Sequence, residues 1–183
     1  MVTRLLLAFA FAAPAFGAEV AGVKIDEQAG VAQATLVLKG AGLRKRAFFQ
    51  VYAIGLYVAD RKADPVAQPG AKRVAIHMLR DVGADTFVQA LADGIRDNHT
   101  EAEAKALEPR VAQLGAILAS VKEAKKGMVI LLDLVPGSGT RVSIDGMPAG
   151  APIAGEDFYR ALLRIWLGDN PVQDDLKRAL AGG

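Results

Sequence analysis

The chain has 183 residues, enough for one domain with a sizeable core, and its formal net charge is only +2. Hydrophobic residues make up 52% of it, which excludes an intrinsically disordered chain. The densest basic cluster is Arg44, Lys45 and Arg46, too short to follow a phosphate backbone, so we expect no nucleic-acid partner. Because the chain has no cysteine, disulfides, thiolate metal sites and cysteine nucleophiles are excluded.

The chain begins with an apolar segment. Arg4 precedes the apolar residues 5–13, and proline and small residues follow them, an order typical of a secretory signal peptide. The apolar run is about half of the roughly 20 residues that a membrane-spanning helix needs, so a retained anchor is the weaker alternative. We therefore predict a signal peptide over residues 1–17.

The cleavage position has two alternatives. Cleavage after Gly17 places the small Ala15 at the −3 position, whereas cleavage after Ala18 places the bulky Phe16 there. Gly17 is favoured. Residues 18–183 are then expected to form a single domain in the periplasm or outside the cell, with no membrane span.

The first half of the domain carries strand patterns. Gly40 and Gly42 predict a turn, and Gly55 predicts a bulge within a long strand or bent strand pair. The segments predicted as strands, of which the first two are expected to pair as a hairpin, are residues 20–25, 34–38, 44–59 and 73–79.

The second half begins with helical periodicity from Asp85 to a stop at Asn98. Thr100 and Glu103 predict a capping box for a second helix, which Pro109 is expected to kink or restart. The remaining predicted elements are a hairpin over residues 128–135 and 140–144, a helix containing Phe158 and Trp166, and a last helix capped by Asn170 with Pro171 at its first position. Strands, helices, strands and helices in this order predict an α+β fold, an antiparallel sheet covered by helices.

Several segments of the chain resemble the chalcone isomerase family. Residues 40–44 and 51–57 are similar to the glycine-rich turn ending in arginine, and to the following strand, of the plant enzymes. Residues 163–168, 170–172 and 176–178 are similar to the closing helices of the family. The resemblance implies an open-faced antiparallel sheet covered by helices, with a ligand cleft between the layers, as in bacterial exported members and plant fatty-acid-binding relatives.

Arg44 matches the turn arginine of that family. The resemblance implies that Arg44 stabilises a phenolate in an isomerase or clamps a carboxylate in a fatty-acid-binding protein. A guanidinium suits both, because it is a permanent cation with a planar fork of donors. The alternative from the sequence alone is a surface arginine paired with an acid. Lys45 and Arg46 match nothing in the family and are expected to be solvated.

The chain also departs from the plant enzymes. Tyr52 stands where they have a threonine, and the predicted helix over residues 86–95 lacks their tyrosine. Their helical asparagine has two candidate matches, Asp93 and Asn98, which the sequence does not separate. A catalytic set consisting of Arg44 and Tyr52 is therefore expected only if the protein is an enzyme.

Haem is the one cofactor that the sequence leaves open. The two histidines, His77 and His99, lie on different predicted elements, so no local metal motif exists. Mitochondrial relatives of the family bind haem, and His77, His99 or Tyr52 could supply an axial ligand. His77 is the favoured one, because the resemblance places its strand near the cleft. The alternative is a hydrogen-bonded or exposed histidine.

Three functions remain open at this point. The first is a periplasmic, non-catalytic protein that binds a small hydrophobic or amphipathic ligand, a fatty acid, another carboxylate or haem, through Arg44, Tyr52 and His77. The second is an isomerase, an intramolecular lyase acting on a chalcone-like aromatic enone, in which Arg44 stabilises an oxyanion. The third is a scaffold or chaperone-like protein with an empty cleft.

Overall fold

The computed structural model describes residues 16–182, so nearly all of the predicted signal peptide lies outside the described residues. Strands make up most of the first half of this region and helices follow them. The strands are β1 (Phe16–Val20), β2 (Val23–Asp26), β3 (Gln28–Val31), β4 (Ala34–Arg46), β5 (Phe49–Val58), β6 (Lys72–Met78), β7 (Val82–Gly83), β8 (Glu123–Ala124), β9 (Val129–Val135), β10 (Gly139–Ile144) and β11 (Met147–Ile153). The helices are α1 (Ala84–Asp97), α2 (Glu101–Ala119), α3 (Glu156–Leu167) and α4 (Asp174–Ala181).

One antiparallel sheet of seven strands organises the fold, in the order β11-β10-β9-β6-β5-β4-β3. Different secondary-structure elements pack on its two faces. One face packs against helix residues such as Phe87, Leu91 and Trp166, and we call it the helix-covered face. The other face packs against the β1–β2 hairpin through Ile25, and we call it the hairpin-covered face. The predicted α+β class, with helices layered on a sheet, is confirmed.

Alternating residues of the central strands divide between these two faces. On β6, Val74, Ile76 and Met78 enter the core under the helices, whereas Ala75 enters the core under the hairpin. Side chains two residues apart share a face in an extended strand, so the phase of the alternation fixes which residues meet the helices. The strand predicted at residues 73–79 is confirmed.

The helix ends are stabilised largely as the sequence predicts. The hydroxyl of Thr100 accepts a hydrogen bond from the Glu103 backbone N–H, and the Glu103 carboxylate accepts one from the Thr100 N–H, which confirms the capping box of α2. Helix α1 ends at Asn98 as predicted. Pro109 does not restart α2, because the helix continues through it to Ala119. Among the described residues, no helix is long and apolar enough to cross a bilayer.

Four predictions about the strands are wrong. Residues 20–25 do not form one strand, because Ala21 and Gly22 adopt positive φ angles in the tight turn between β1 and β2. Strand β4 pairs with β3 and β5 instead of with that segment. Gly40 and Gly42 do not form a turn, since both lie inside the extended β4. Gly55 keeps a regular register, whereas the irregularities fall between Leu38 and Gly40 and between Arg44 and Lys45.

The sheet has two margins of different kinds. Strand β3 at one margin has only four residues. Strand β11 at the other margin was not predicted, because Pro148, Gly150 and Pro152 are atypical of a strand interior. An edge strand tolerates prolines, since one side of its backbone has no neighbouring strand to pair with.

Candidate functional site

A cleft of about 800 Å³ lies on the helix-covered face, where the ends of β4 and β5 meet helix α1. This volume falls within the roughly 300–1,000 Å³ that is usual for small-molecule sites. Apolar and charged side chains both line it. The lining residues are Arg44, Arg46, Val51, Tyr52, Val82, Asp85, Thr86, Phe87, Gln89, Ala90, Leu91, Asp93, Gly94, Asp97, Ile165, Pro171 and Val172.

The two glycines of β4 place helix α4 next to this cleft. A Cβ atom at Gly42 would lie 2.6 Å from Leu176 Cδ1, and one at Gly40 would collide with the Ala179 carbonyl oxygen. The absence of side chains therefore lets α4 lie directly on the strand. Arg44 is the next residue on the same face of β4, at the point where α4 begins.

Gln173 fixes the start of α4 against β4. Its side-chain nitrogen donates to the Leu43 carbonyl at 3.0 Å, and its Oε1 accepts from the Lys45 backbone N–H at 2.8 Å. It is the N-cap residue of α4, so the helix begins three residues later than the Pro171 start that the sequence predicted. The carboxamide of Gln173 thus ties the start of α4 to the backbone of β4 on both sides of Arg44.

Arg44 reaches the cleft without a carboxylate partner among the described residues. It is half-buried, and its Nη1 donates to the Lys45 carbonyl at 2.6 Å and to Gln173 Oε1 at 3.3 Å. Within residues 16–182, no carboxylate forms an ion pair with it. A guanidinium carries five N–H donors in all, so besides these two bonds and its contact with the Tyr52 hydroxyl, Arg44 keeps donors for a bound anion.

Tyr52 lies directly opposite Arg44 in the β4–β5 register and is buried. Its hydroxyl accepts a 2.9 Å hydrogen bond from Trp166 Nε1. Burial raises the pKa of Tyr52, although the Trp166 hydrogen bond and the neighbouring Arg44 guanidinium oppose that rise. The phenol therefore stays protonated at neutral pH, and within the described part of the chain its own proton has no acceptor.

A β-bulge explains why consecutive residues of β5 line the cleft. Arg44 pairs with Tyr52, but the following Lys45 pairs with Gln50, which leaves Val51 as an extra residue. Bulges re-aim side chains next to sites, and here both Val51 and Tyr52 contribute to the lining. This local irregularity gives the cleft an apolar contact beside its polar pair.

The opposite wall of the cleft is acidic. Asp85, Asp93 and Asp97 project from α1, so the cations and the carboxylates stand on separate walls. Asp93 accepts hydrogen bonds from Gln89 at 2.8 Å and from Arg96 at 2.7 Å, and the positive charge of Arg96 neutralises part of this negative charge. An anionic group is thus directed towards the β4–β5 wall rather than towards α1.

His77 does not join Arg44 and Tyr52. In the β5–β6 register His77 pairs with Ala53, whereas its neighbour Met78 pairs with Tyr52. Adjacent residues of a strand point to opposite faces, so His77 lies on the hairpin-covered face. Burial lowers the pKa of His77, while the Asp26 carboxylate of β2 acts in the opposite direction. The placement of His77 near the cleft, which the family resemblance implied for its strand, is wrong because the two faces alternate along that strand.

The other predicted residues are placed as follows. His99 lies near the end of α1, where its Nδ1 is 2.7 Å from the Ile95 carbonyl oxygen, outside the cleft. Of the two asparagine candidates, Asp93 lines the cleft, whereas Asn98 bonds to Gly94 and Asn170 and ties α1 to the α3–α4 connection. Among residues 16–182, no group of histidine and acidic side chains is placed to hold a metal ion.

Sequence reasoning missed three contributors to the site. Arg46 is exposed as expected but also lines the cleft, Trp166 holds the Tyr52 hydroxyl, and Gln173 holds Arg44. The helical spacing of apolar residues predicts Trp166 as a core position, and that spacing does not indicate a polar contact of its side chain. A long-range contact such as that between Gln173 and Arg44 has no local sequence signal.

The comparisons with known proteins agree with this fold. The family described as chalcone isomerase-like matches residues 17–182. A crystal structure of a fatty-acid binding protein from Arabidopsis thaliana superposes with a TM-score of 0.68 at 14% sequence identity, and the match covers 88% of this chain and 92% of that one. At this identity the likeness establishes the fold. A search of curated protein sequences gave no match.

Proposed function

The chain belongs to the chalcone isomerase-like family, and from this premise we propose that it is a ligand-binding protein whose cleft holds an amphipathic carboxylate such as a fatty acid. The observation that carries the proposal is the pairing of Arg44 with Tyr52 at a cleft that also has an apolar lining. The fatty-acid binding named for the Arabidopsis neighbour supports the same ligand class.

The two polar groups are suited to a carboxylate for complementary reasons. Arg44 offers a positive charge that no acidic side chain of residues 16–182 pairs with, and Tyr52 offers a proton without an acceptor. A carboxylate accepts from both, because its two oxygens carry about four lone-pair sites. The acyl chain would then lie against Val51, Phe87 and Leu91. Burial of that chain supplies the affinity and the charged contact supplies the orientation.

The isomerase alternative uses the same pair of residues differently. Arg44 and the protonated Tyr52 would stabilise a developing oxyanion on an aromatic enone. Thr86 is the other hydroxyl residue lining the cleft. Turnover of a chalcone by the purified protein, lost in Arg44→Ala, would establish this activity in place of the binding role.

Haem has less geometric support than a carboxylate. His77 lies on the hairpin-covered face, so it would not ligate a group held beside Arg44 and Tyr52. Addition of haem to the protein tests this directly, since histidine ligation gives a shifted Soret band. A shift abolished by His77→Ala would assign haem to the other face of the sheet.

The binding proposal is tested by titration with a long-chain fatty acid. A charged contact of this kind is worth roughly 1.5–3 kcal/mol, so Arg44→Ala should weaken binding by about one to two decades. Arg44→Lys should recover part of the loss, because an ammonium keeps the charge without the planar fork. Lys45→Ala is the matched control, since its side chain is exposed and does not line the cleft.

The outcome that removes the anchor role is equal affinity of the wild type and a folded Arg44→Ala variant. Circular dichroism establishes that each variant is folded. Absence of fatty-acid binding by the wild type would remove the ligand class itself, and ligands extracted from the purified protein and identified by mass spectrometry would then define the class. An extract without any ligand would favour the scaffold alternative.

We also propose that the protein is exported to the periplasm after cleavage at Gly17 or Ala18. Strand β1 (Phe16–Val20) contains both positions, and its register becomes regular from Ala18 onward, where Ala18 pairs with Ile25. A mature chain from Ala18 therefore keeps the regular part of that hairpin. N-terminal sequencing of the protein from a periplasmic fraction tests this, and a chain that retains Met1 would contradict it.

A further inference from the structure

We infer that the tip of the β4–β5 hairpin docks on the surface of an anionic lipid bilayer and brings the mouth of the cleft to that surface. The hairpin tip consists of residues 45–49. It combines two exposed aromatic rings with two cations, beside a third cation, Arg80, from the segment after β6.

The aromatic residues of the tip are exposed to an unusual extent. Phe48 is 88% exposed and Phe49 is 51% exposed, and their ring centroids lie 5.2 Å apart. Isolated apolar residues on a surface need no explanation, but two adjacent phenylalanines at the tip of a hairpin form a protruding apolar point. Ala47, which precedes them, has a φ of +53°, where glycine, asparagine or aspartate is usual. The turn therefore presents Phe48 outward with an alanine at a position where glycine, asparagine or aspartate would cost less conformational free energy.

The cations around these rings complete a surface that suits anionic headgroups. Lys45, Arg46 and Arg80 are all exposed, and within residues 16–182 none of the three forms an ion pair. The Arg80 guanidinium carbon lies 4.4 Å from the Phe49 ring centroid, so charge and apolar surface are held side by side. Segments that bind at a membrane interface commonly insert aromatic rings towards the acyl chains and keep basic groups at the level of the anionic headgroups.

The acidic groups nearby are few and partly engaged. Asp81 accepts a hydrogen bond from the Lys126 backbone N–H at 2.7 Å. Asp175 has a lowered pKa, mainly because of a hydrogen bond with Gln173 and to a smaller extent because of Lys45. Asp85 belongs to the α1 wall of the cleft. The tip itself, residues 45–49, contains no acidic residue.

The tip is continuous with the ligand cleft. A second hollow of about 390 Å³ lies under Phe49 and Arg80 and shares lining residues with the cleft. The shared residues are Arg46, Val51, Val82 and Thr86. Insertion of Phe48 and Phe49 would therefore set the cleft beside the acyl chains of the bilayer. The docking does not depend on which ligand the cleft holds, because neither phenylalanine lines the cleft.

The first experiment is co-sedimentation of the purified protein with vesicles, without added fatty acid. Wild type should bind vesicles of phosphatidylcholine mixed with phosphatidylglycerol and bind phosphatidylcholine alone weakly. The variant Phe48→Ser/Phe49→Ser should bind the anionic vesicles at least about tenfold more weakly. Arg80→Gln should reduce binding by a smaller factor, and about 0.5 M salt should reduce binding by the wild type.

Matched controls separate the tip from general surface effects. Met147→Ser removes another exposed apolar side chain, 70% exposed, from the start of β11, and should bind as the wild type does. Lys105→Gln removes an exposed cation from α2 and should also leave binding unchanged. All variants share one N-terminus, so a retained signal segment would not account for a difference between them.

The second experiment reports insertion directly. Trp166 is buried and is the only tryptophan of the chain, so Phe48→Trp adds one exposed reporter. Its emission should be quenched by lipids brominated along their acyl chains, whereas the wild-type emission should not. Equal vesicle binding by wild type and Phe48→Ser/Phe49→Ser would overturn the inference. A dimer in solution that the double variant dissociates, without vesicle binding, would assign the tip to a second copy of the chain and overturn it as well.

Discussion

The two faces of the central sheet each carry an arginine and a tyrosine, and the two pairs are used in opposite ways. On the hairpin-covered face, Arg73 donates from Nε and Nη2 to the two oxygens of Asp133, both at 2.6 Å, and Tyr57 donates to the Asp26 carbonyl at 3.0 Å. On the helix-covered face, Arg44 has no acidic partner among residues 16–182, and in the same region the Tyr52 hydroxyl only accepts hydrogen bonds.

This difference separates a structural use of these residue types from a functional one. A guanidinium that forms a two-point ion pair with a largely buried carboxylate helps to hold a fold together, and its charge is already neutralised. Donors without a carboxylate partner beside an open cleft are hydrated in the empty protein and can pair with a ligand that binds there. The cleft face is therefore the better candidate for a site, although both faces contain the same chemistry.

Removal of the two arginines should show the largest difference between the faces. Arg73→Ala leaves the Asp133 carboxylate, 9% exposed, without its partner and should lower the free energy of unfolding by about 3 kcal/mol. Arg44→Ala removes a half-buried side chain without a carboxylate partner and should cost less than about 1 kcal/mol. Urea unfolding of both variants measures the difference. Similar losses in the two would contradict the division into structural and functional arginines.

The close packing of α4 on β4 should give the next largest effect. Gly40→Ala places a Cβ against the Ala179 carbonyl and should destabilise the protein by roughly 2 kcal/mol, because α4 has to shift. Since α4 carries Gln173, fatty-acid affinity should fall as well. Gly30→Ala on β3 is the control, because a Cβ there has no neighbour within 4 Å. Unchanged stability of Gly40→Ala would show that α4 lies farther from the strand.

Tyr52→Phe should have a moderate effect on stability and a further effect on ligand binding. The substitution leaves the buried Trp166 N–H without an acceptor, which should cost about 1–2 kcal/mol in urea unfolding. It also removes one of the two proposed carboxylate donors, so fatty-acid affinity should fall. Tyr57→Phe is the matched variant on the other face and should leave that affinity unchanged. A loss of affinity in both would mean that the hairpin-covered face shapes the cleft.

The smallest expected effect is a pH dependence on the hairpin-covered face. Burial, together with the Asp26 carboxylate, raises the pKa of Tyr57 from 10.0 to about 12, against the opposing effect of Arg73. A raised pKa means that the neutral phenol stabilises the fold fully below pH 10, and that this contribution is lost as the pH rises from 10 to about 12. At pH 11 the loss should be about 1 kcal/mol.

The comparison that isolates this effect is wild type against Tyr57→Phe, with unfolding measured from pH 9 to 11. Tyr52 and Tyr159 also have raised pKa values because of burial, but both remain in the variant and cancel in the difference. Parallel stability curves for the two proteins would show that Tyr57 is not perturbed.

Local patterns predicted most helices and the central strands, because those depend on periodicity and caps. The capping box at Thr100 and the alternation along β6 are examples. The failures involve residues whose structure is set by distant parts of the chain. Gly40 and Gly42 suggest a turn by composition, yet they are glycines because α4, more than 130 positions away, lies on them.

The site was predictable only in part for a related reason. Arg44 and Tyr52 came from the family resemblance, and their register on β4 and β5 brings them together. The alternation along β6 places His77 on the face opposite Val74, Ile76 and Met78. Periodicity does not show which of the two faces the helices cover, so the sequence did not show on which side of the sheet His77 lies. Gln173 and Trp166 are contacts across the fold, for which a single sequence carries no signal.

The prolines of β11 bear on how the protein behaves at high concentration. An edge strand with a continuous row of N–H and C=O groups can accept a strand from another molecule and so start aggregation. Pro148 and Pro152 lack N–H groups, and Gly150 between them has a φ of +69°, so this margin presents an interrupted row of donors in a distorted strand. The opposite margin, β3, offers four residues. Both ends of the sheet are thus poor templates for intermolecular strand addition, which favours a dispersed protein over fibrillar assembly.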